Sequence, residues 1–420
     1  MIAASKRPGT SIGETYVSPS ANTTLATLKS PLYEEALLFR IVVIRSRGGE
    51  YLGIVENLSI EPEISRPRVG GSLQEIYPTV LTIRNLLYLR RGEDRPSSVR
   101  NAPRPQSRIH LASKKDLARF FPVQGSRKRV FLGSLRDTTY RLPLDSETLS
   151  FANTALLAGI GHGKSHIAAH LAFQLHLAGR KVVIVDPTGE WPSLLETQKE
   201  SLDSELASRI SLSVRRYEEN RASEGRVKEF VKTVVEDFNS KKMTTIDVSL
   251  LAHRGSAEEK IQERCNLVYA LQQQLMVGAT NAYQVTKQPY AYDGCILLEE
   301  AHEFIPAAPD FEIQKKLNVL FSIATKEYRK YGLGLIFIDQ SLKAVSDALQ
   351  VQTYILGAPA TPGDLEFLKT RLGTNLTDSV QRTRREGAIS SWVAYGLATP
   401  FPGIPWEIVS FETTREALSG

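Results

Sequence analysis

The chain has 420 residues, 42% of them apolar and 23% charged, which is a composition typical of globular proteins and long enough for two or three domains. Its net charge of +6 suits a polyanionic partner such as nucleic acid, a property it shares with many other globular proteins. No apolar run approaches the roughly 18 residues that a membrane-spanning helix needs, and two cysteines exclude a disulfide framework. We therefore expect a protein of a reducing compartment, the cytoplasm.

The N-terminal third of the sequence predicts two segments. Residues 1–30 are rich in Ser, Thr, Ala and Gly and lack the apolar core of a signal peptide, so we predict a flexible tail. Residues 31–145 contain short apolar runs, such as 37–44 and 51–55, that Gly and Pro interrupt. This pattern predicts a small N-terminal β-barrel or β-sandwich domain, with an exposed loop over the Arg- and Pro-rich stretch 91–108.

Residues 146–420 show apolar strands that alternate with helical segments, which predicts an α/β domain with a parallel sheet. An amphipathic helix is expected to begin at Ser165. Residues 192–290 are predicted to be a mainly helical insertion, in which 195–239 is mostly helix and Arg215 and Arg216 lie on its charged face. The predicted strands are 154–157, 181–186, 244–251, 295–299, 333–338 and 353–356.

A glycine-rich turn follows the first of these strands and has the sequence Ala158-Gly159-Ile160-Gly161-His162-Gly163-Lys164-Ser165. It nearly matches the phosphate loop G-x-x-x-x-G-K-[ST], in which backbone N–H groups and a helix N-terminus bind phosphate. Ala158 replaces the first glycine, and we expect Gly159 to allow the tight turn. We predict that Lys164 reaches the β- and γ-phosphates of ATP and that Ser165 is a ligand of Mg²⁺. The predicted nucleotide contacts are Gly159, Gly161, His162, Gly163, Lys164, Ser165 and the adjacent His166.

Two further strands end in polar residues that suit the same chemistry. Glu299 and Glu300 follow an apolar strand, and ligands of open α/β sheets bind at that edge. We predict that Glu299 binds the metal and Glu300 orients the attacking water; the alternative is a solvated acidic pair at a helix start. Gln340 follows another strand and is predicted to sense the γ-phosphate if that strand lies between the other two, although a simple strand-end cap would also explain it.

Other candidates are less specific. Asp186 and Glu190 flank a Pro- and Gly-containing turn and are predicted to lie near the nucleotide, unless they belong to an ordinary turn. Arg329 ends a basic helix and would be an arginine finger that acts on a neighbouring subunit, or simply a cation that favours a helix C-terminus. A basic cluster of Arg382, Arg384 and Arg385 suits DNA contacts and equally suits a solvated surface loop.

This combination resembles the HerA family of hexameric ATPases, within the HerA–FtsK group of DNA-pumping motors. The resemblance rests on residues 161–165, 186–191, 299–302, 329–334 and Gln340 in their order and spacing, and residues 51–55 resemble the family's barrel domain. It implies a RecA-like P-loop ATPase core and a ring hexamer with ATP between subunits. It also implies duplex DNA in a central channel and a nuclease or other effector partner, for DNA-end processing or antiphage defence. Lys326 stands where many relatives have a first arginine, which leaves Arg329 as the predicted finger.

The sequence therefore predicts an ATP- and Mg²⁺-dependent DNA translocase or helicase. Two other functions remain open at this stage. One is a scaffold that uses ATP as a switch to assemble an effector enzyme, and the other is an ATPase that moves protein, as in secretion. A small-molecule P-loop kinase fits the length and the barrel less well.

Overall fold

The structure, a computed structural model, describes residues 11–28, 37, 40–60, 79–121, 129–136, 138–217, 224–249, 256–358, 362–385, 391–400, 402–411 and 416. The chain divides into two compact units. The first comprises Met1–Gly125 with Asp137–Tyr140, and the second Ser126–Arg136 with Arg141–Gly420. None of the helices in the described part of the chain is both long and apolar enough to span a bilayer.

The described strands of the first unit close into a barrel with the order β1-β2-β5-β4-β3-β6, in which neighbours are antiparallel. Two register shifts in the pairing of β4 with β5 add the curvature that closure requires. A short helix, α1 (Lys114–Phe120), follows the last strand. The strands are β1 (Ser11–Ser20), β2 (Thr23–Leu28), β3 (Ile41–Ser46), β4 (Gly49–Ile60), β5 (Thr79–Arg90) and β6 (Arg108–Leu111).

The predicted flexible tail is wrong over residues 11–28, because these residues form β1 and β2. Threonines in this stretch are β-branched, and buried and half-buried residues alternate along β2, as a strand requires. The turn between the two strands is held by buried Asn85, whose side-chain amide donates to the carbonyl of Ala21 at 2.9 Å. A composition rich in Ser and Thr was therefore compatible with a paired strand.

The second unit contains one 11-stranded sheet among its described residues, with the order β11-β12-β10-β13-β14-β9-β15-β16-β17-β7-β8. Strands from β11 to β15 are parallel, and the remaining pairs are antiparallel. The predicted α/β class with a parallel core sheet is confirmed. The strands are β7 (Arg129–Leu135), β8 (Arg141–Asp145), β9 (Thr154–Leu157), β10 (Lys181–Asp186), β11 (Leu212–Arg216), β12 (Met243–Asp247), β13 (Gly294–Glu299), β14 (Leu333–Asp339), β15 (Thr353–Leu356), β16 (Ser391–Gly396) and β17 (Trp406–Ser410).

Helices connect these strands. They are α2 (Ser146–Phe151), α3 (Lys164–Leu177), α4 (Trp191–Glu200), α5 (Ser204–Ser208), α6 (Glu224–Asn239), α7 (Ala257–Thr286), α8 (Glu312–Glu327), α9 (Pro362–Leu372) and α10 (Thr374–Arg385). A 3₁₀ turn over Tyr328–Tyr331 joins α8 to β14.

Three sequence-based expectations differ from this arrangement. Residues 129–135 and 141–145, predicted as part of the barrel domain, are β7 and β8 of the larger sheet, because β7 pairs with β17 near the other end of the sequence. The expected helix 195–239 is interrupted by β11, which pairs with β12, so the segment 192–290 is not purely helical. Helix α3 is buried on nearly all sides instead of amphipathic, since β7 covers its outer side and Gln174 bonds to Phe131 of that strand.

The sheet brings the ends of four parallel strands to one level. Asp339 at the end of β14 lies beside Leu157 at the end of β9, and Ile338 lies beside Glu299. Leu298 in turn lies beside Val185 of β10. Strand β14 lies between β13 and β9, as the prediction for Gln340 required. Residues that follow these strands therefore meet at one edge, where ligands of open α/β sheets bind.

Candidate phosphate-binding and catalytic site

The glycine-rich turn joins the end of β9 to the start of α3. Gly161 and Gly163 both adopt a left-handed backbone with φ of 76°, which glycine accepts without steric cost. Gly159 is not among the left-handed residues, so its expected role in the tight turn stays a prediction. Ala158 is accommodated by Gly357 after β15, where a Cβ would come within 2.7 Å of the Ala158 methyl group.

The first two residues of α3 meet the acidic pair that follows β13. The Nζ atom of Lys164 lies 3.4 Å from Oε1 of Glu300, and the hydroxyl of Ser165 donates to Oε1 of Glu299 at 2.8 Å. Lys164 is only 8% exposed, so its charge lies inside the site. The structure thus brings together the side chains that the sequence predicts to bind phosphate and metal.

Glu299 is a buried carboxylate whose charge the protein compensates only in part. Burial raises the pKa of Glu299 to about 7, the nearby Asp186 and Glu300 raise it as well, and the hydrogen bond from Ser165 and the charge of Lys164 oppose them. Its second oxygen, Oε2, is buried without a hydrogen-bond partner in the described part of the chain. An isolated buried carboxylate is costly, whereas a divalent cation with oxygen ligands would use both its charge and its unpaired oxygen.

Glu300 has an unusual backbone for a residue with a side chain, with φ of 45° and ψ of 55° in the left-handed region. A non-glycine residue in that region costs of order 1–3 kcal/mol and is commonly found at functional sites. The amide of Gln340 lies 3.4 Å from Oε2 of Glu300, and Lys164 holds Oε1. The Glu300 carboxylate is therefore directed toward the glycine-rich turn by two side chains from neighbouring elements.

Asp339 and His302 form a second layer behind Glu300. The Asp339 side chain is 1% exposed, and its Oδ2 accepts from the backbone N–H of His302 at 2.8 Å and lies 3.0 Å from the ring nitrogen Nδ1 of His302. Its Oδ1 accepts from the backbone N–H of Gln340 at 2.7 Å. One carboxylate thus links the backbone after Glu300 to the backbone of Gln340.

The hydrogen bond to Asp339 raises the pKa of His302, and the charges of Asp339, Glu300 and Glu303 raise it further against the effect of partial burial. The sequence alone did not predict a function for His302 or Asp339. The available signal was a carboxylate at the end of an apolar strand, directly before Gln340.

Other predicted nucleotide contacts lie close to the site but have local partners. The buried carboxylate of Asp186 accepts hydrogen bonds from the backbone of Thr188, Gly189 and Trp191, and so organises the turn at the start of α4. Glu190 is exposed, and the structure gives its side chain no contact with the site. The ordinary-turn interpretation therefore explains this segment as well as a nucleotide contact does.

The two histidines of the glycine-rich segment also have protein partners. The ring of His162 lies 3.0 Å from the carbonyl of Ile160 within the turn. The ring of His166 lies 3.0 Å from the ring of His170 and 3.4 Å from the amide of Gln198 on α4. His166 thus contacts α4 through its side chain rather than the acidic pair.

Arg329 and Lys326 lie away from this edge of the sheet. Lys326 is exposed near the end of α8, and Arg329 lies in the 3₁₀ turn before β14. Seven residues of β14 separate that turn from Gln340, or about 20 Å at the rise of a β-strand. Neither side chain can therefore belong to the site of its own chain.

The basic cluster of Arg382, Arg384 and Arg385 falls on the last turns of α10, so the surface-loop interpretation of its backbone is wrong.

The comparisons with known proteins agree with this architecture. Residues 130–251 match the family model described as "Helicase HerA, central domain". This match spans β7 to β12 and includes the glycine-rich turn, Lys164, Ser165 and Asp186. A comparison with curated proteins finds no match.

Solved structures provide more distant similarities. The genome packaging NTPase B204 from Sulfolobus turreted icosahedral virus 2, in complex with AMPPCP, is 11% identical over 62% of this chain and 98% of that chain, with a TM-score of 0.37. VirB4 of Thermoanaerobacter pseudethanolicus is 15% identical over 69% and 98%, with a TM-score of 0.41. The pCW3 conjugation coupling protein TcpA is 11% identical over 98% and 93%, with a TM-score of 0.42. Similarities at this level carry no inference about what this chain binds.

Proposed function

The chain carries the central domain of the HerA family of P-loop ATPases, and from this premise we propose that it is an ATP-driven motor that translocates duplex DNA as a ring oligomer, a hexamer. The single observation that carries the proposal is the meeting of Lys164, Ser165, Glu299, Glu300 and Gln340 at one edge of the sheet. A phosphate loop opposite a pair of carboxylates and a polar sensor has the parts that phosphoryl transfer needs. We place the protein in the cytoplasm, with a nuclease or another effector as its partner.

Each residue has a proposed task in ATP hydrolysis. Lys164 and the backbone N–H groups of residues 159–165 bind the phosphates. Ser165 and Glu299 would hold Mg²⁺, which would offset the negative charge of the phosphates. Glu300 accepts a proton from the attacking water, and Gln340 contacts the γ-phosphate while it holds the carboxylate of Glu300 in place.

The test is ATP hydrolysis with and without linear duplex DNA, together with a native mass measurement. We expect DNA to stimulate ATP hydrolysis, and we expect this stimulation to fall steeply as the salt concentration rises. The native mass should be that of an assembled ring. The Glu300→Gln variant should bind ATP normally and hydrolyse it at least about 100-fold more slowly, because the general base is lost. Turnover at the parental rate would refute the task proposed for Glu300.

The same measurements separate the two alternative functions. An ATP-switched scaffold would hydrolyse ATP slowly and independently of DNA, and its nucleotide state would instead control binding of an effector enzyme. An ATPase that moves protein would be stimulated by a polypeptide substrate and not by DNA. The half-buried Arg329 lies outside the site of its own chain, and this favours the motor, since a neighbouring subunit would complete the site in a ring.

A further inference from the structure

The basic excess of the chain is concentrated in the barrel. Residues 1–125 contain 18 Lys and Arg against 11 Asp and Glu, a net charge of +7, compared with +6 for the whole chain. The larger unit is therefore close to neutral overall. A charge distribution of this kind places the attraction for a polyanion on the barrel rather than on the ATPase sheet.

Four arginines of the barrel surround one cleft of about 300 Å³. Arg45 and Arg47 come from the end of β3 and the turn to β4, Arg91 follows β5, and Arg119 lies on α1. Glu50 is the only acidic residue among those that line the cleft in the described part of the chain. The complete lining is Arg45, Ser46, Arg47, Gly49, Glu50, Leu89, Arg91, Gly92 and Arg119.

All four arginines are exposed, and two of them form ion pairs with described residues. Arg119 lies 2.7 Å from Glu50, and Arg45 lies 3.1 Å from Asp116 and 3.6 Å from Glu50. Arg47 and Arg91 are exposed and form no ion pair with any described residue. The ion pairs partly offset the charges of Arg45 and Arg119, whereas Arg47 and Arg91 leave their guanidinium groups available to an anionic ligand.

The backbone that carries these two exposed arginines is held by the barrel. The N–H of Arg91 donates to the carbonyl of Gly48 at 3.2 Å, and the hydroxyl of Tyr88 donates to the same carbonyl at 2.8 Å. Gly49 is required at this point, because a Cβ there would lie 2.4 Å from the carbonyl oxygen of Leu89. The two segments are thus joined at a fixed spacing, which distinguishes the cleft from a set of cations on loose loops.

We propose that this arginine cleft, defined by Arg45, Arg47, Arg91 and Arg119, binds the phosphate backbone of duplex DNA. Guanidinium groups recognise phosphate through paired hydrogen bonds, and consecutive phosphates of a strand offer such ligands in a row. Contacts to phosphate carry no sequence information directly, so we expect binding there to be independent of sequence. The inference rests on the proposed DNA translocation and assigns the barrel a task in it, namely to hold DNA outside the nucleotide site.

The experiment measures binding of the full chain to a fluorescent linear duplex over a series of salt concentrations. Replacing Arg47 and Arg91 together by Ala should weaken binding roughly five- to tenfold and reduce the slope of log affinity against log salt by about two, one for each lost phosphate contact. The matched control replaces Arg95 and Arg100, two exposed arginines of the same unit that do not line the cleft. The control should leave the slope at the parental value.

The outcomes separate this inference from the proposed function. An unchanged slope for the Arg47 and Arg91 variant, or an equal loss in the control, would overturn the cleft as a DNA site even if the parental protein binds DNA. If the parental protein neither binds duplex DNA nor is stimulated by it, the proposed translocation fails as well. Hydrolysis of ATP without DNA should be the same in both variants and the parent, because the substitutions leave the nucleotide site intact.

Discussion

At the scale of single residues, the site depends on buried carboxylates with different surroundings. Glu299 is 3% exposed, has one oxygen without a partner, and has a pKa raised to about 7 by burial. Asp339 is equally buried but accepts hydrogen bonds on both oxygens. Glu299 is therefore suited to bind an added cation, whereas the hydrogen bonds of Asp339 are already supplied by the protein.

The hydrogen bonds of Asp339 lead to a prediction for the variant His302→Gln. This variant loses the bond between the histidine ring and Asp339, while the backbone N–H of residue 302 can still donate. We therefore expect the free energy of unfolding to fall by about 1 kcal/mol, as for one hydrogen bond. The raised pKa of His302 in the folded state fixes the sign of the pH dependence. The stabilisation is fully present below the ordinary histidine pKa and is lost as the pH rises through the pKa of the folded state.

Urea unfolding of the variant and the parent over a pH series tests this expectation. The difference in the free energy of unfolding should be largest under acidic conditions and should shrink as His302 of the parent becomes neutral. His162→Gln is the control, since its ring contacts a backbone carbonyl rather than a carboxylate. A difference that does not change with pH would mean that the His302–Asp339 bond is not charge-assisted.

The sequence predicted the central residues of the site, but it did not predict the contact between His302 and Asp339 behind them. The motif G-x-G-K-S and the strand-end pair Glu299 and Glu300 carry a local signal, because strand, turn and helix are adjacent in the sequence. The link between His302 and Asp339 spans 37 positions and depends on β13 and β14 being neighbours. Such a contact becomes visible only when the strand order is known.

At the scale of secondary-structure elements, helix α8 has an apolar face without a partner in the described part of the chain. Val319 is 61% exposed and Ile323 is 39% exposed, and Lys326 follows on the same side at helical spacing. The 3₁₀ turn with Arg329 comes directly after this helix. We predict that this face contacts the next subunit and thereby aims Arg329 at the neighbour's nucleotide.

Replacing Val319 and Ile323 together by Glu should therefore shift the assembly toward monomers and lower ATP hydrolysis, because two buried charges would oppose the contact. Sedimentation velocity with and without nucleotide measures the assembly. The same double replacement at Leu397 and Val409, which are exposed to a similar extent in another region, is the control and should assemble normally. Normal assembly of the α8 variant would show that this helix does not lie at the interface between subunits.

Elements differ in how well the sequence predicts them. Strands β10, β13 and β14 are buried on both faces and appear as continuous apolar runs, so they were predicted nearly to the residue. Strand β11 carries Arg215 and Arg216, which pair with Asp237 and Asp247. Because its five residues at the edge of the sheet lack an apolar run, the prediction of helix for this segment is wrong. Strands β7 and β8 were assigned to the wrong unit because pairing with β17 leaves no local signal.

At the scale of the whole molecule, the residues that we propose to act in hydrolysis lie at opposite ends of the parallel strands of one sheet. Lys164 and Glu300 lie at the carboxyl edge, and Arg329 lies at the amino edge of β14, about 20 Å away. An arrangement of this kind suits a head-to-tail contact, in which the amino edge of one subunit faces the carboxyl edge of the next. Closed head-to-tail contacts produce rings, which connects the position of Arg329 to the proposed motor.

The last prediction tests that connection by mixing two inactive variants. Arg329→Ala subunits keep Glu300, and Glu300→Gln subunits keep Arg329, so in an equal mixture about one quarter of head-to-tail interfaces contain both intact side chains. We expect ATP hydrolysis to recover to a corresponding fraction of the parental rate, whereas each variant alone should be slower by about 10²-fold or more. Mixing Arg329→Ala with the double variant that lacks both side chains is the control and should give no recovery. If the mixed subunits assemble by native mass but remain inactive, Arg329 does not complete a neighbour's site, and the ring would have to be explained by contacts other than catalysis.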